Sequence, residues 1–213
     1  SLEPEINQLT GSCKDFNYAQ RWVDISHDKS GLTWPTHEAP LIEIGEMINE
    51  ELVNNGYKLW KKKTTLSNTF YSYVMNNYWH TNFKADQEGE VIFHYSLFPH
   101  NTFDAADAAR KGLESNQPLI VATATANTSE LKSLFNIENK NIILSTIKPS
   151  FDKKGMILRL YNASYQSQKP EIKWERLLPK NIYWSNANQE KLQPYNPDIS
   201  WPPFAFKTLY LQL

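Results

Sequence analysis

Cysteine is almost absent from this chain: Cys13 is the only one in 213 residues. That rules out an internal disulfide and a cysteine-built zinc site. An excess of charge is missing too. The 22 Lys and Arg stand against 23 Asp and Glu, so no broad field draws in nucleic acid or an anionic membrane surface. The one basic run, Lys61-Lys62-Lys63, reads as a solvated turn. Apolar runs extend only a few residues, far short of the roughly 20 that cross a bilayer. A soluble chain is therefore expected, with no nucleic acid and no membrane as partner. No leader of basic, then apolar, then small residues opens the sequence, so any signal peptide is expected to be removed or to lie elsewhere. Cytoplasm and periplasm both stay open.

Motifs that carry chemistry are scarce as well. There is no Gly-rich phosphate loop, no nucleophile elbow and no Cys-His arrangement. The five histidines are His27, His37, His80, His94 and His100. None falls in a zincin-type pair, and no acid stands beside two of them at a spacing that puts three ligands on one element. His94 and His100 bracket a strand end and are the pair most able to meet. Paired carboxylates of the glycosidase kind are defined by distance across a cleft, which spacing in sequence does not reveal. Asn127-Thr-Ser129 and Asn162-Ala-Ser164 satisfy the N-glycosylation pattern, which matters only in a host that glycosylates secreted chains.

Aromatic residues, by contrast, are abundant: 7 Trp, 11 Tyr and 10 Phe against only 7 Gly, at a mean hydropathy of -0.58. That combination suits strands with one wet face better than a helical bundle, because aromatic and β-branched side chains pack well on a pleated surface. Residues 1–15 are polar and unpatterned and read as a flexible lead-in. Strands are expected over 16–25, ended by turn chemistry at 28–31, and over 39–45, with Leu41 and Ile42 inside and Glu43 outside. Residues 47–53 carry one or two helical turns. The longest strand candidate, 64–75, is expected to pair in a hairpin with 91–98. One helix is predicted over 103–113, from Phe103, Ala106, Ala109 and Leu113 at helical spacing with Asp104 and Asp107 in its first turn; Gly112 or Ser115 would end it. Further strands at 118–122, 141–147, 155–161, 171–175, 181–184 and 205–213 recur at a spacing close to that of a sandwich. The fold class expected is all-β, mainly antiparallel, with one short helix.

One stretch resists a plain structural assignment. Residues 73–89, YVMNNYWHTNFKADQEG, set Tyr78, Trp79 and Phe83 among Asn76, Asn77, His80, Thr81, Asn82 and Asp86. A solvent loop would avoid that much aromatic area, and a core strand would avoid so many amides, each costly to bury unpaired. Two readings remain: a strand corner whose amides bond their own backbone, or a sugar-binding or interdomain surface where rings stack and amides read hydroxyls.

The same stretch, extended to Ser72 and followed by a strand and Phe103-Asp104, resembles the C-terminal region of bacterial glycoside hydrolase family 38, the α-mannosidases. Other blocks agree in order: QRWVDIS at 20–26 with GLT at 31–33 and APLIE at 39–43, then GMILRLYN at 155–162, then FKTLY at 206–210. The resemblance implies a β-sandwich of the supersandwich, galactose-mutarotase-like kind over 16–213, packed in the whole enzyme on a separate N-terminal catalytic domain of the same polypeptide. In that family the zinc ligands, the Asp nucleophile and the acid/base belong to the catalytic domain, and none of those motifs is present here. The implied expectations are that this chain holds no catalytic residue, metal or cofactor, that zinc belongs to the absent domain, and that the isolated chain is inactive on mannosides. The resemblance places Asn76, Asn77, Trp79, His80, Thr81, Asn82 and Asp86 on a surface facing the catalytic cleft or the interdomain seam, where the mannoside is the implied partner. Arg159 and Tyr161 read as structural. An autonomous carbohydrate-binding module and a purely structural domain are the competing readings.

Overall fold

The computed structural model describes residues 6, 8–46, 61, 63–75, 84, 86–123 and 132–213. They divide into two compact units, Ser1–Phe103 with Lys111–Pro118, and Asp104–Arg110 with Leu119–Leu213. Among the described residues every strand pairing is antiparallel, and the expected all-β class holds. No helix among them is long and apolar enough to cross a membrane.

The first unit contains two three-stranded sheets. One is ordered β1 (Asn17–Tyr18), β4 (Leu41–Ile44), β5 (Phe70–Ser72); the other is ordered β2 (Trp22–His27), β3 (Ser30–Pro35), β6 (Phe98–His100). The single strand expected over 16–25 is thus two strands in different sheets. Between them Ala19 N donates to Pro40 O, and Arg21 O accepts from Thr36 N, so the chain leaves one ladder to join the other. Asp28, at φ 47, turns the two-residue link that sets His27 opposite Ser30, a left-handed conformation that Asp tolerates better than most residues. Trp34 is buried at the centre, stacked 5.0 Å from Phe70 and 5.7 Å from Tyr95.

Several expectations for this unit are corrected. Leu41 is exposed, whereas Glu43 is buried and takes a 3.0 Å ion pair from Lys61 Nζ, so Lys61 serves the interior rather than a solvated turn. A charge can be buried when it is paired, which apolar patterning does not register. The strand expected over 64–75 shrinks to β5, and the one over 91–98 to β6. Leu66, Val74, Val91, Ile92 and Leu97 are all exposed. The predicted hairpin is absent, since β5 pairs with β4 and β6 with β3. Pro99 lies inside β6, which an edge strand permits because one side of its backbone makes no ladder. Residues 47–53 lie outside those described.

The helix, α1, spans Ala105–Asn116. Asp104 caps it, its Oδ1 accepting from Ala106 N at 2.8 Å and Asp107 N at 3.2 Å. It runs through Gly112 and Ser115, both expected stops. Gly112 lies within the helix because a Cβ there would come 2.8 Å from Trp22 Cδ1 and 3.1 Å from Arg21 O; the glycine marks a close approach, not a terminus. Asn116 Nδ2 then donates to Gly112 O at 2.8 Å.

The second unit holds a five-stranded sheet ordered β12 (Lys191–Pro194), β11 (Asn181–Ser185), β13 (Phe206–Gln212), β9 (Gly155–Asn162), β8 (Ile142–Pro149), with a two-stranded sheet of β10 (Ile172–Trp174) and β7 (Phe135–Ile137). Register assigns its faces. Leu158, Leu160, Leu209 and Leu211 lie on one side with Ile142 and Trp184 and are buried against Trp201 and Leu177, with Phe135, Ile137, Ile172 and Trp174 packed alongside. Each fully buried leucine contributes about 1.5–3 kcal/mol before entropy is counted, so this seam dominates the unit. The strands expected over 141–147, 155–161, 171–175, 181–184 and 205–213 are all present, while β7 and β12 were not anticipated. The strand expected over 118–122 is not formed: Leu119, Ile120 and Val121 are 93%, 97% and 91% exposed.

Asn162 ends β9 wholly buried, and its side chain is saturated. Its Nδ2 donates to Gln166 O, Trp201 O and Pro202 O at 2.8, 3.1 and 2.9 Å, and its Oδ1 accepts from Ser164 N and Oγ. A glycan cannot be attached to that nitrogen in the folded unit. Asn127 lies outside the described residues. Replacing Asn162 by Ala strands the carbonyls it serves and should cost about 1–3 kcal/mol, read as a lower urea midpoint; an unchanged midpoint would show that the clamp does not stabilise the unit. Gly155→Ala should also destabilise, because a Cβ there would stand 2.2 Å from Leu211 O in the neighbouring strand, and urea unfolding should show it.

Candidate functional site

The outer face of the five-stranded sheet carries a row of polar residues, one from each strand. Thr146 of β8, Arg159 of β9, Thr208 of β13, Ser185 of β11 and Lys191 of β12 stand opposite one another in register. The bulge in β8 at 144/146 displaces Ser145 from the ladder. On one side of this row lie Phe206 and Tyr161, stacked with centroids 4.7 Å apart and planes 14° apart; on the other lie Tyr210 and Ile157. Partial burial and the neighbouring Tyr165 push the Tyr161 phenol above its usual range.

Where β11 ends and β13 begins, a cleft of about 770 Å³ opens, lined by Arg159, Trp184, Asn186, Phe206, Lys207 and Thr208 among others. Arg159 Nε donates to Thr208 Oγ1 at 3.1 Å, which fixes the plane of the guanidinium. The Lys207 ammonium lies 5.8 Å from the centroid of the Trp184 ring, and Phe206 leaves 61% of its surface exposed. Among the described residues no carboxylate, imidazole or thiol lines the cleft. The described lining offers rings and hydrogen-bonding groups rather than the carboxylates or imidazoles typical of general acid and base chemistry.

At the far end of the sheet the β8–β9 turn is locked by a second polar group. Tyr210 Oη donates to Asp152, 2.8 and 2.9 Å from its two oxygens, and Ser150 Oγ donates to Asp152 Oδ1 at 2.5 Å. Hydrogen bonds from Ser150, the Lys154 amide and Tyr210 hold the Asp152 carboxyl down at about 2, and burial pushes the Tyr210 phenol up. Lys191 Nζ covers the Tyr210 ring at 4.4 Å.

In the first unit His94 and His100 do not meet. His94 Nδ1 bonds Glu38 at 2.8 Å on the surface, and the backbone and side chain of His94 hold the Glu38 carboxyl below its usual range. His100 Nε2 bonds the buried Asp24 at 2.7 Å, where Thr33 Oγ1 also donates at 2.6 Å. Gly31 makes room for that ring, since a Cβ there would come 2.3 Å from His100 Cε1. Among the described residues no three His, Cys, Asp or Glu side chains come together to hold a metal ion.

Of the residues singled out in the aromatic and amide stretch, Asn76, Asn77, Trp79, His80, Thr81 and Asn82 lie outside those described; Asp86 is exposed on irregular chain. Arg159, which reads as structural from the sequence, bonds Thr208 and also lines the cleft. The cleft itself was missed from sequence. The signal available was the alternation of 206–210, which puts Phe206 on the face opposite Leu209.

The class defined by this geometry is an all-β unit with an aromatic, cation-lined face and no evident reaction centre among its described residues. Its identity sharpens with known families. Residues 141–209 match the model of the glycosyl hydrolases family 38 C-terminal beta sandwich domain, which bears out the resemblance read from the sequence. Two similar solved structures are a protein in glycosyl hydrolase family 38 from Enterococcus faecalis and an α-mannosidase from Enterococcus faecalis. Each is 16% identical at a TM-score of 0.64 over 93% of this chain. This chain spans only 23% and 21% of their lengths. No functionally curated protein matches it in sequence.

The Asp152 lock carries a pH signature. A carboxyl held at about 2 in the folded chain, against an ordinary 3.8, adds stability that is fully present above 3.8 and is lost as pH falls from there toward 2. Acid unfolding followed by near-ultraviolet circular dichroism should be less steep across that window in Asp152→Asn than in the wild type; superimposable curves would remove Asp152 as the cause.

Proposed function

We propose that this chain is the non-catalytic C-terminal β-sandwich part of a family 38-type α-mannosidase, in which the complete polypeptide hydrolyses α-mannosides and this part helps to shape the active-site cleft. The observation that carries the reading is the match of residues 141–209, the stretch that supplies four strands of the five-stranded sheet and the start of the fifth, to the C-terminal domain of that family. The share of the similar solved chains left uncovered accommodates a catalytic domain of several hundred residues. Three consecutive aliphatic side chains, Leu119, Ile120 and Val121, are more than 90% exposed. Such a run fits a surface that the catalytic domain of the same polypeptide covers. Zinc and the catalytic carboxylates belong, on this reading, to that domain. The aromatic and amide residues Asn76, Asn77, Trp79, His80, Thr81, Asn82 and Asp86 then face its cleft or the seam between domains.

A second reading, an autonomous carbohydrate-binding module, is favoured by one feature: the exposed Phe206 ring backed by Tyr161, next to the Asn186 and Gln193 amides. Calorimetric titration with mannose separates the two. Millimolar or tighter binding by the isolated chain supports the module, and silence supports the domain of a larger enzyme.

Two outcomes are expected of the domain reading. The isolated chain releases no nitrophenol from nitrophenyl α-mannoside with zinc supplied, and turnover by it would overturn the assignment. In the full-length enzyme, Trp79→Ala or Asn77→Ala lowers kcat/KM by about tenfold or more with the thermal midpoint unchanged; full activity in both variants would remove this stretch from the cleft.

A further inference from the structure

The three most exposed large apolar side chains among the described residues are consecutive: Leu119, Ile120 and Val121, at 93%, 97% and 91%. Others that reach solvent stand singly or in pairs, such as Val74 with Met75 and Val91 with Ile92. The backbone is as open as the side chains. Among the described residues, no backbone hydrogen bond of a turn, loop or ladder involves 118–123, and a row of unpaired amides and carbonyls is a template for another strand. Residue types fit a strand rather than a loop: Ile120, Val121 and Thr123 are β-branched, and Pro118 stands at the first position, where a strand tolerates proline. The segment begins just after α1, which ends at Asn116 with its Nδ2 donating to Gly112 O.

Successive side chains of a strand point to opposite faces, so Leu119 and Val121 share one face and Ile120 takes the other. A run that is apolar on both faces marks a strand covered above and below. A second copy pairing edge to edge would satisfy the backbone and leave both faces wet. What meets both requirements is a sheet inside a larger fold, and this chain spans only 23% and 21% of the similar solved chains. We propose that residues 118–123 add as a strand to a sheet supplied by the part of the longer polypeptide outside this chain, paired through the backbone and covered on both faces. The inference rests on the reading of this chain as part of a larger mannosidase, and it replaces a general apolar contact with a defined mode of assembly, main-chain strand addition.

Hydrogen exchange followed by mass spectrometry, on the full-length enzyme and on the isolated chain, tests it. The amides of 119–123 should exchange at least about tenfold more slowly in the full-length enzyme, and as fast as a free peptide in the isolated chain at every concentration. Fast exchange in both would overturn the inference and leave the mannosidase reading standing. Slow exchange in a full-length polypeptide that does not hydrolyse nitrophenyl α-mannoside would uphold the inference and overturn that reading. Protection within the isolated chain would also overturn it, by assigning the strand to a second copy if it rises with concentration and to this chain if it does not. Ile120→Lys gives an independent readout. It should leave the urea midpoint of the isolated chain unchanged, because the side chain is exposed there, and lower the thermal midpoint of the full-length enzyme by several degrees, because a charge is then forced into a covered face. An unchanged midpoint in both, or a lowered one in the isolated chain, would count against the strand.

Discussion

Strands β9 and β13 are covered on both faces where they approach the β8–β9 turn, and the second unit depends on that. Leu158, Leu160, Leu209 and Leu211 fill one side, while Ile157 and Tyr210 are just as buried on the other. A strand covered on both faces has no position where a polar side chain is free of consequence, so each one present must be satisfied. Asn162 meets this by serving three carbonyls at once, and Tyr210 meets it by giving its hydroxyl to Asp152. Both stand at the ends of the paired strands, where turns bring backbone groups and carboxylates within reach. The interior of the ladder stays apolar on its core side, and hydrogen bonding is concentrated at its ends.

Legibility in the sequence followed the density of that apolar pattern. The strands from 141 onward are evident because β-branched and leucine residues recur at period two and the register leaves them no alternative face. The first unit is less regular. Its described strands run from two to six residues, and of the described residues at 66–98 only Phe70–Ser72 and Phe98 join a ladder, although the stretch mimics strand alternation. Alternation shows that a segment could be half-buried, but pairing also requires a neighbour whose backbone is free, and β3 and β4 are already each flanked on two sides. Leu119, Ile120 and Val121 suit a buried strand by residue type, yet they stand more than 90% exposed and outside any described ladder.

Glu43 and Gly112 show a different kind of blindness. Both are residues whose usual role points outward or toward an ending, and both are placed by a partner far along the chain, Lys61 in one case and Trp22 in the other. Long-range pairing of this kind leaves no mark on local periodicity. The family resemblance was legible because it rests on ordered blocks of residues rather than on any one pattern, and it survives errors in the boundaries of individual strands. The candidate cleft did not share that advantage. Its residues come from several strands and a turn, and only the register brings Arg159, Thr208 and Ser185 into one row.

That register also binds the cleft to the core. Side chains alternate strictly along β9 and β13, so the step that sends Leu158 and Leu160 inward sends Arg159 outward, and the step that sends Leu209 inward sends Thr208 out beside it. A slip of one residue in the β9–β13 pairing would put the guanidinium among Trp184, Trp201 and the leucines, where an unpaired charge costs several kcal/mol. The polar row therefore opposes misregister as strongly as the leucines favour the native one. Once the core is packed, Arg159 has a single place to go, and the stability of the unit holds it there.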